Sequence, residues 1–423
     1  MSSRLDVCLI SSTSIAHNPR LLKEADALSA AGYRVGVIFC QTIDWVARRD
    51  EAILRSRNWR ASPVSIVPGP PAVRQLQFWR SRLRMHFYQK ILSRFTLSYG
   101  IAERAFVRPY DELLQAAMRL PARLYIAHNL QALPVAFQAA QHHNAYCAFD
   151  AEDYHTGQLP PEQQQTPEQK LIEHIEDRHI RRCVYVSAPS AGIAQALAQR
   201  YGIAQPLVIH NVFPWRDREM LDGQVRDRRG PELSLFWYSQ TVGLDRGLQD
   251  AIRAVGLLSE PPQIHIRGVL AAEVREQLLH CAREVGIAGK IYFHEMVPPN
   301  ELLSRIAEHD VGLALEPGYA HSMNNALTVS NKLFHYFLAG LAVAATDVPG
   351  QKQIMEQTPQ AGCRYRPGDY QALARCLQGW LDQPEQLAGC KQAALEAARQ
   401  RWNWEREQQL FLDQIRSVIG MPA

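Results

Sequence analysis

The sequence lacks what several protein classes require. Its eight cysteines in 423 residues include no C-x-x-C pair. Several sit inside apolar runs, so they read as reduced, packed thiols of a cytoplasmic protein rather than a disulfide or zinc framework. No apolar run reaches the ~18–20 residues of a membrane span. The longest, 333–345, is broken by His335. The first apolar run, 7–10, is strand-length and ends in Ser11, Ser12 and Thr13, unlike a secretory signal. No G-x-G-x-x-G follows that run, no D-x-D stands at a strand end, and no His/Cys cluster has metal-ligand spacing. These absences argue against a dinucleotide fingerprint and a resident metal. No internal repeat or low-complexity segment is present.

Acidic residues are missing locally. The net charge is only +4, from 46 basic and 42 acidic residues, too weak a balance for a nucleic-acid binder. Yet no acid occurs between Glu51 and Glu103, a stretch that holds 9 cations, and the rest of the chain is 37 against 42. Inside this block, 74–95 reads as a helix. Phe78, Ser81, Met85, Tyr88, Leu92 and Phe95 recur at three- and four-residue spacing as one stripe. The opposite side mixes apolar and basic residues. Cations among aromatics suit an anionic membrane surface, with Trp79, Arg80, Arg84, Phe87, Lys90 and Arg94 as expected contacts. The plainer account is a helix buried between others with its arginines snorkelling outward.

With 47% hydrophobic and 21% charged residues, the chain has material for two or three domains of ~100–200 residues each. Strand-like runs fall at 6–11, 34–39, 124–127, 147–151, 184–188 and 207–209. A second set falls at 233–238, 264–267, 291–294, 311–315, 342–345 and 363–365. Helical patterns lie between them, for example 19–31, 130–141, 247–258 and 273–285. Nearly continuous apolar strands alternating with helices predict an α/β fold of parallel sheets covered on both faces. The expected organisation is two Rossmann-like, doubly wound domains, 1–213 and 232–400, facing a central cleft. The charged stretch 214–231 is the expected linker, and the helix within 401–423 is expected to pack back on the first domain.

Ligands of such sheets bind beyond the carboxyl ends of the strands, so the loops there hold the candidate residues. After the first strand come Ser12, Thr13, His17, Asn18, Pro19 and Arg20. Asn18 and Pro19 suit an N-cap and N1 pair, while His17 and Arg20 are candidates to face a ligand. His128 follows the 124–127 run and would point into the cleft; a lone histidine there is more often a structural residue. Asp150, Glu152 and Asp153 follow the 147–151 run, where acids either cap or act. Past the first strand of the second half stand Gln240, Thr241, Gly243 and Arg246. A glycine turn leading to a cation beside a helix start suits an anion. Glu316, Asn325, Asn331, Lys332 and His335 form the last set, with Lys332 as a second phosphate ligand or a plain surface lysine.

Taken in order, these segments resemble the retaining GT-B glycosyltransferases of the family-4 type. Asn18 to Val35 looks like their first helix, N-x-P-R-L-x-K-E-A. His128-Asn129-Leu130 with Leu133-Pro134 looks like H-D-L-x-x-L-P. Phe149-Asp150-Ala151-Glu152 looks like Y-D-A-H-E, with Glu152 where histidine is common. Arg246-Gly247-Leu248 stands where Lys-Gly or Arg-Gly-Leu is usual. Asn331 to Tyr336 with Gly340 looks like N-K-L-F-E-Y-x-x-x-G, and Trp404-Glu405 like the start of the last helix. The departure is His335, which replaces a glutamate expected to hold the donor ribose.

The resemblance implies transfer from a UDP-, GDP- or dTDP-sugar to a glycan or lipid-linked acceptor, with retention, no cofactor and no metal. It implies His128, Arg246 and Lys332 as catalytic residues and a cytoplasmic enzyme, peripheral at the inner face of the membrane. Gln240, Thr241, Gly243, Glu316, Asn325, Asn331 and His335 would complete the donor side. Ser12, Thr13, His17, Arg20, Glu152 and Asp153 would form the acceptor side. Two alternatives share the fold. A nucleotide-sugar 2-epimerase needs convergent acids, for which only Glu152 and Asp153 stand ready. A catalytically silent binding scaffold would account for His335.

Overall fold

The computed structural model describes residues 4–69, 72–92 and 100–422. The chain divides into two compact units. Unit 1 runs to Ile209 and takes in the chain from Gln408; unit 2 is His210–Glu407.

Unit 1 is built on a seven-stranded parallel sheet. Its strands are β1 (Leu5–Ser11), β2 (Val35–Gln41), β3 (Arg60–Ser65), β4 (Ala122–His128), β5 (Tyr146–Asp150), β6 (Val186–Ala188) and β7 (Leu207–Val208). The order is β3-β2-β1-β4-β5-β6-β7. Every residue of β1 and β2 is buried, as expected of strands covered on both faces. β3 escapes the sequence pattern. It is a half-exposed edge strand containing Pro63, opposite Phe39, and an edge tolerates the missing ladder donor. The order reverses between β1 and β4, so the loops after those strands flank the unit's switch point.

Unit 2 has six parallel strands: β8 (Ser234–Thr241), β9 (Gln263–Val269), β10 (Ile291–His294), β11 (Val311–Ala314), β12 (Ala342–Thr346) and β13 (Gly362–Tyr365). Their order is β10-β9-β8-β11-β12-β13, with the reversal between β8 and β11. Leu235, Trp237, Ile264, Leu313 and Ala344 belong to its buried core. Gly312 in β11 admits the helix Asn331–Ala339 close to the sheet. A Cβ there would lie 2.1 Å from the Tyr336 ring, whose hydroxyl donates to the Leu313 carbonyl (3.2 Å).

Two expectations change. The division falls at Ile209/His210, and residues 214–231 form a polar strap of unit 2 instead of a linker. Oε2 of Glu308 accepts from the backbone N–H groups of Arg226 (2.9 Å), Asp227 (2.6 Å) and Arg228 (3.2 Å), and Arg305 pairs with Asp222 at 2.5 Å. A segment held by charges looks like a solvated linker when only its composition is read. Second, Cys363 and Cys376 form a disulfide between β13 and the helix Tyr370–Asp382, where reduced thiols were expected; the other six cysteines are free. The basic helix is described over Ala72–Leu92; Arg94 and Phe95 lie outside the described residues. At the chain end, Tyr33 donates to the Gly420 carbonyl (2.9 Å) and Arg123 to that of Ile419.

Candidate functional site

Unit 2 gathers its candidates at the switch point. Beyond β8, Gln240 and Thr241 are exposed, Gly243 starts the short turn Leu244–Arg246, and Gly247 (φ 74°) begins the helix Leu248–Gly256. Arg246 is partly exposed, with its Nε 3.7 Å from Asp245. Beyond β11, Glu316 is buried and its backbone N–H donates to Thr346 (2.9 Å). Lys332, in the first turn of the helix Asn331–Ala339, lies 3.9 Å from Glu316 and 5.4 Å from the centre of the Trp237 ring. Burial lowers the Lys332 pKa, Glu316 opposes that, and Arg246 adds to the lowering. Asn331 is exposed, whereas the Asn325 side chain accepts from Ser322 (2.7 Å), which caps the short helix Met323–Leu327.

His335 is stacked on Phe213 with ring centres 3.4 Å apart, and its Nδ1 is hydrogen-bonded to the Tyr238 hydroxyl at 2.5 Å. Burial holds the Tyr238 phenol protonated.

Unit 1 has a buried ionic cluster at its own switch point. His128 ends β4 and is fully buried. Its Nε2 is 3.3 Å from Oε2 of Glu24; its Nδ1 is 3.1 Å from Oε1 of Glu152 and 3.5 Å from Oδ2 of Asp150. Burial alone would depress its pKa. Glu24, then Glu152 and Asp150, outweigh burial and hold it up to about 10. Burial and the Asp150 charge raise the Glu24 pKa; Arg20 and His128 lower that of Asp150 against the effect of burial. Arg20 is also interior. Its Nε donates to Asp150 and its Nη1 to the Ile209 carbonyl (2.5 Å).

Arg20 and His128 are thus enclosed beside carboxylates of their own unit, while Nη2 of Arg20 and Nε2 of His128 find no hydrogen-bond partner there. Around them, Asn18 caps the helix Pro19–Ala30 and its Nδ2 donates to Oε1 of Glu152 (2.7 Å). Ser12 donates to Gln131 (3.0 Å); Thr13 and His17 are exposed, His17 against the edge of Trp45. Asp153 accepts from Gln158 (3.2 Å). Sequence reasoning missed Glu24 as a site residue. Its signal was available: Arg20 and Glu24 fall on the same side as Leu21, Ala25 and Leu28, the buried face of that helix.

Two groups offer metal-ligand atoms within 4.8 Å of one another among the described residues: Glu24, His128 and Asp150, and Asp227, Glu308 and His309. In the first, Arg20 already neutralises Asp150. In the second, Arg267 pairs with Asp227 and Arg305 with Glu308 (2.6 Å). Guanidinium groups fill the role a cation would play.

The basic helix has two faces. Ser81 is buried, and Phe78, Met85 and Tyr88 are half-buried; Arg108 donates to Ser81 (3.1 Å) and lies 4.6 Å over Phe78. Leu76, Trp79, Leu83 and Phe87 form an exposed stripe, with Arg80, Arg82 and Lys90 also exposed on the helix. Arg84 does not join them. It is held by Asp111 (3.1 Å) and Glu112 (2.5 Å) on the helix Tyr110–Met118, which corrects its assignment as a surface contact.

Two parallel sheets with these orders, each with its charged residues at a switch point, match solved structures along nearly the whole chain. HepE from Anabaena in complex with UDP covers 98% of this chain and 100% of its own, at 14% identity and a TM-score of 0.67. The chain has the GT-B fold. Sucrose-phosphate synthase from Thermosynechococcus elongatus shares it at 15% identity and TM-score 0.66, with 98% and 99% of the two chains covered. A UDP-forming α,α-trehalose-phosphate synthase from Burkholderia xenovorans does so at 12% identity and TM-score 0.63, with the same coverage. HepE was also solved with UDP-glucose. No protein-family model and no curated protein matches the sequence. No helix among the described residues of this GT-B chain is long and apolar enough to cross a membrane.

Proposed function

We propose that this protein is a glycosyltransferase that moves a sugar from a nucleotide-sugar donor to an acceptor hydroxyl. One observation carries the reading. Arg246, just before the helix Leu248–Gly256, and Lys332, in the first turn of the helix Asn331–Ala339, follow the two strands that flank the unit 2 switch point. Their own carboxylate neighbours, Asp245 and Glu316, stand no closer than 3.7 and 3.9 Å, and a nucleoside diphosphate is an anion that both cations suit. As the glycosidic bond breaks, negative charge grows on that diphosphate. Preorganised cations then stabilise the transition state more than the ground state.

Retention and independence of metal belong to this reading and rest on the resemblance of the motifs. The UDP and UDP-glucose complexes of HepE make UDP-sugars the first donors to test. The exposed stripe Leu76, Trp79, Leu83 and Phe87, flanked by arginines, supports docking on an anionic membrane and hence a membrane-delivered acceptor, such as a lipid-linked sugar. In this reading the enzyme works at the cytoplasmic face of the membrane.

The deciding experiment is titration of the purified protein with UDP, GDP and dTDP and their sugars, following binding and nucleotide release. Binding of none refutes the reading. Isomerisation of the sugar without an acceptor would move the assignment to an epimerase.

A further inference from the structure

Unit 2 has a cavity of about 980 Å³ at the end of its sheet opposite the switch-point loops. It opens where β13 begins, at Gly362, between the helix Tyr370–Asp382 and the helix Pro384–Gln400. Three sulfurs line it: the bonded pair Cys363 and Cys376, and the free thiol of Cys390. None of the three residues is fully buried. The two helices meet at Gln383, and Cys376 and Cys390 stand at equal chain distances on either side of it. The Trp380 indole, one turn beyond Cys376, is hydrogen-bonded to Cys390. Cys390 therefore sits against the helix face that carries Cys376. Burial pushes the Cys390 thiol up, against the pull of Trp380. It stays protonated at neutral pH and leaves its neighbour disulfide intact until a thiolate arrives from outside. The walls are charged. Arg375, on the first helix, is exposed and pairs with no acid among the described residues; Glu396 faces the cavity from the second helix.

We propose that this cavity is a thiol–disulfide exchange site for a small carboxylate-bearing thiol of the glutathione class, with Cys390 as the resolving thiol. The volume suits a molecule of tripeptide size. Arg375 suits its carboxylate and Glu396 its ammonium group. The incoming thiolate attacks Sγ of Cys376 and bonds to it. The Cys363–Cys376 bond breaks, and its electron pair leaves on Cys363 as a thiolate. Cys390 passes its proton to that thiolate and attacks Cys376 in turn. The small thiolate departs, and Cys376 is now bonded to Cys390. One S–S bond has replaced another, the small thiol is regained, and nothing is oxidised or reduced overall. The exchange unties the edge strand β13, whose only neighbour in the sheet is β12, from the helix Tyr370–Asp382. It ties that helix to the next one instead. The inference is independent of the sugar-transfer reading, because no residue of this cavity belongs to the donor set.

The test uses the full chain in its oxidised form, held at neutral pH with a limiting amount of reduced glutathione, quenched with acid and mapped by mass spectrometry of unreduced peptides. In wild-type protein, peptides joining Cys376 to Cys390 should replace those joining Cys363 to Cys376. In Cys390→Ser, glutathione should instead remain on Cys376. Should that variant not fold, maleimide labelling of wild-type protein in denaturant replaces it: the label should move from Cys390 to Cys363. Arg375→Ala should slow exchange with glutathione roughly 2- to 5-fold, the scale of one exposed ion pair, and leave exchange with uncharged mercaptoethanol unchanged. A Cys363–Cys376 bond that survives the treatment overturns the proposal. So does its opening to two free thiols with no link to Cys390. An Arg375→Ala variant that slows neither thiol, or both equally, overturns recognition of the carboxylate and the proposal with it. Glutathione found equally on Cys183, a partly exposed cysteine of unit 1, would show unselective capture and overturn it too.

Discussion

The Tyr238 hydroxyl and Nδ1 of His335 are hydrogen-bonded across 2.5 Å, and that bond fixes how the histidine is turned. The glutamate it replaces in the resembled motif would accept from a ribose hydroxyl. A histidine whose Nδ1 is held by the phenol is fixed in orientation and lacks the carboxylate's two acceptor oxygens, so it cannot reproduce that contact unchanged. Tyr238→Phe releases the ring. Affinity for the nucleotide should fall roughly 2- to 10-fold, the worth of one neutral hydrogen bond, with the melting temperature nearly unchanged. Calorimetric titration measures this, and equal affinities in the two proteins would mean that the ring needs no such fixing.

Lys332→Ala and Arg246→Ala should each slow nucleotide release about 10²- to 10³-fold, as for other preorganised charges at a developing anion. The loss should lie mainly in kcat, since the charge they meet grows in the transition state. Steady-state kinetics with a UDP-sugar separates this from a rise in KM alone, which would make the two cations mere ground-state binders.

Stability should fall in alkali. Against the effect of burial, Glu24, Glu152 and Asp150 raise the folded pKa of His128 to about 10, from 6.5. A group raised on folding gives its full stabilisation below its unfolded pKa and loses it as pH rises through the folded one. The melting temperature should therefore decline between pH 6.5 and 10. His128→Gln should flatten that slope; a wild-type melting temperature constant across this window would count against a charged His128.

Vesicles with about a third anionic lipid should retain the protein at low salt and release it at high salt, since each cation near such a surface contributes ~1 kcal/mol. Trp79→Ala with Phe87→Ala should weaken retention, and Arg80→Glu should weaken it further. Arg84→Ala should do little, because Asp111 and Glu112 hold that side chain. Co-sedimentation reads all of these, and retention independent of both salt and Trp79 would refute membrane docking by this face.

Much of the architecture was legible because it rests on local patterns. A strand buried on both faces must be apolar throughout, and β1, β2, β4 and β12 announce themselves in that way. Asn18 and Pro19 mark a helix start because capping needs only neighbours in sequence. β3 was not legible. Its half-exposed residues and Pro63 follow no apolar rule, and only pairing with β2 makes it a strand.

Local pattern was enough for every parallel strand but β3, for the cations Arg246 and Lys332 at strand and helix ends, and for the two-faced basic helix. The reason is that periodicity and capping act within a few residues. Tertiary structure alone decided which charged groups meet. Arg20, Glu24, His128, Asp150 and Glu152 come from three separate segments, and burial forces them to neutralise one another. Arg84 turned to Asp111 and Glu112, and the strap 222–228 to Glu308, for the same reason. A buried charge must find its partner wherever the fold brings one, at whatever distance along the chain.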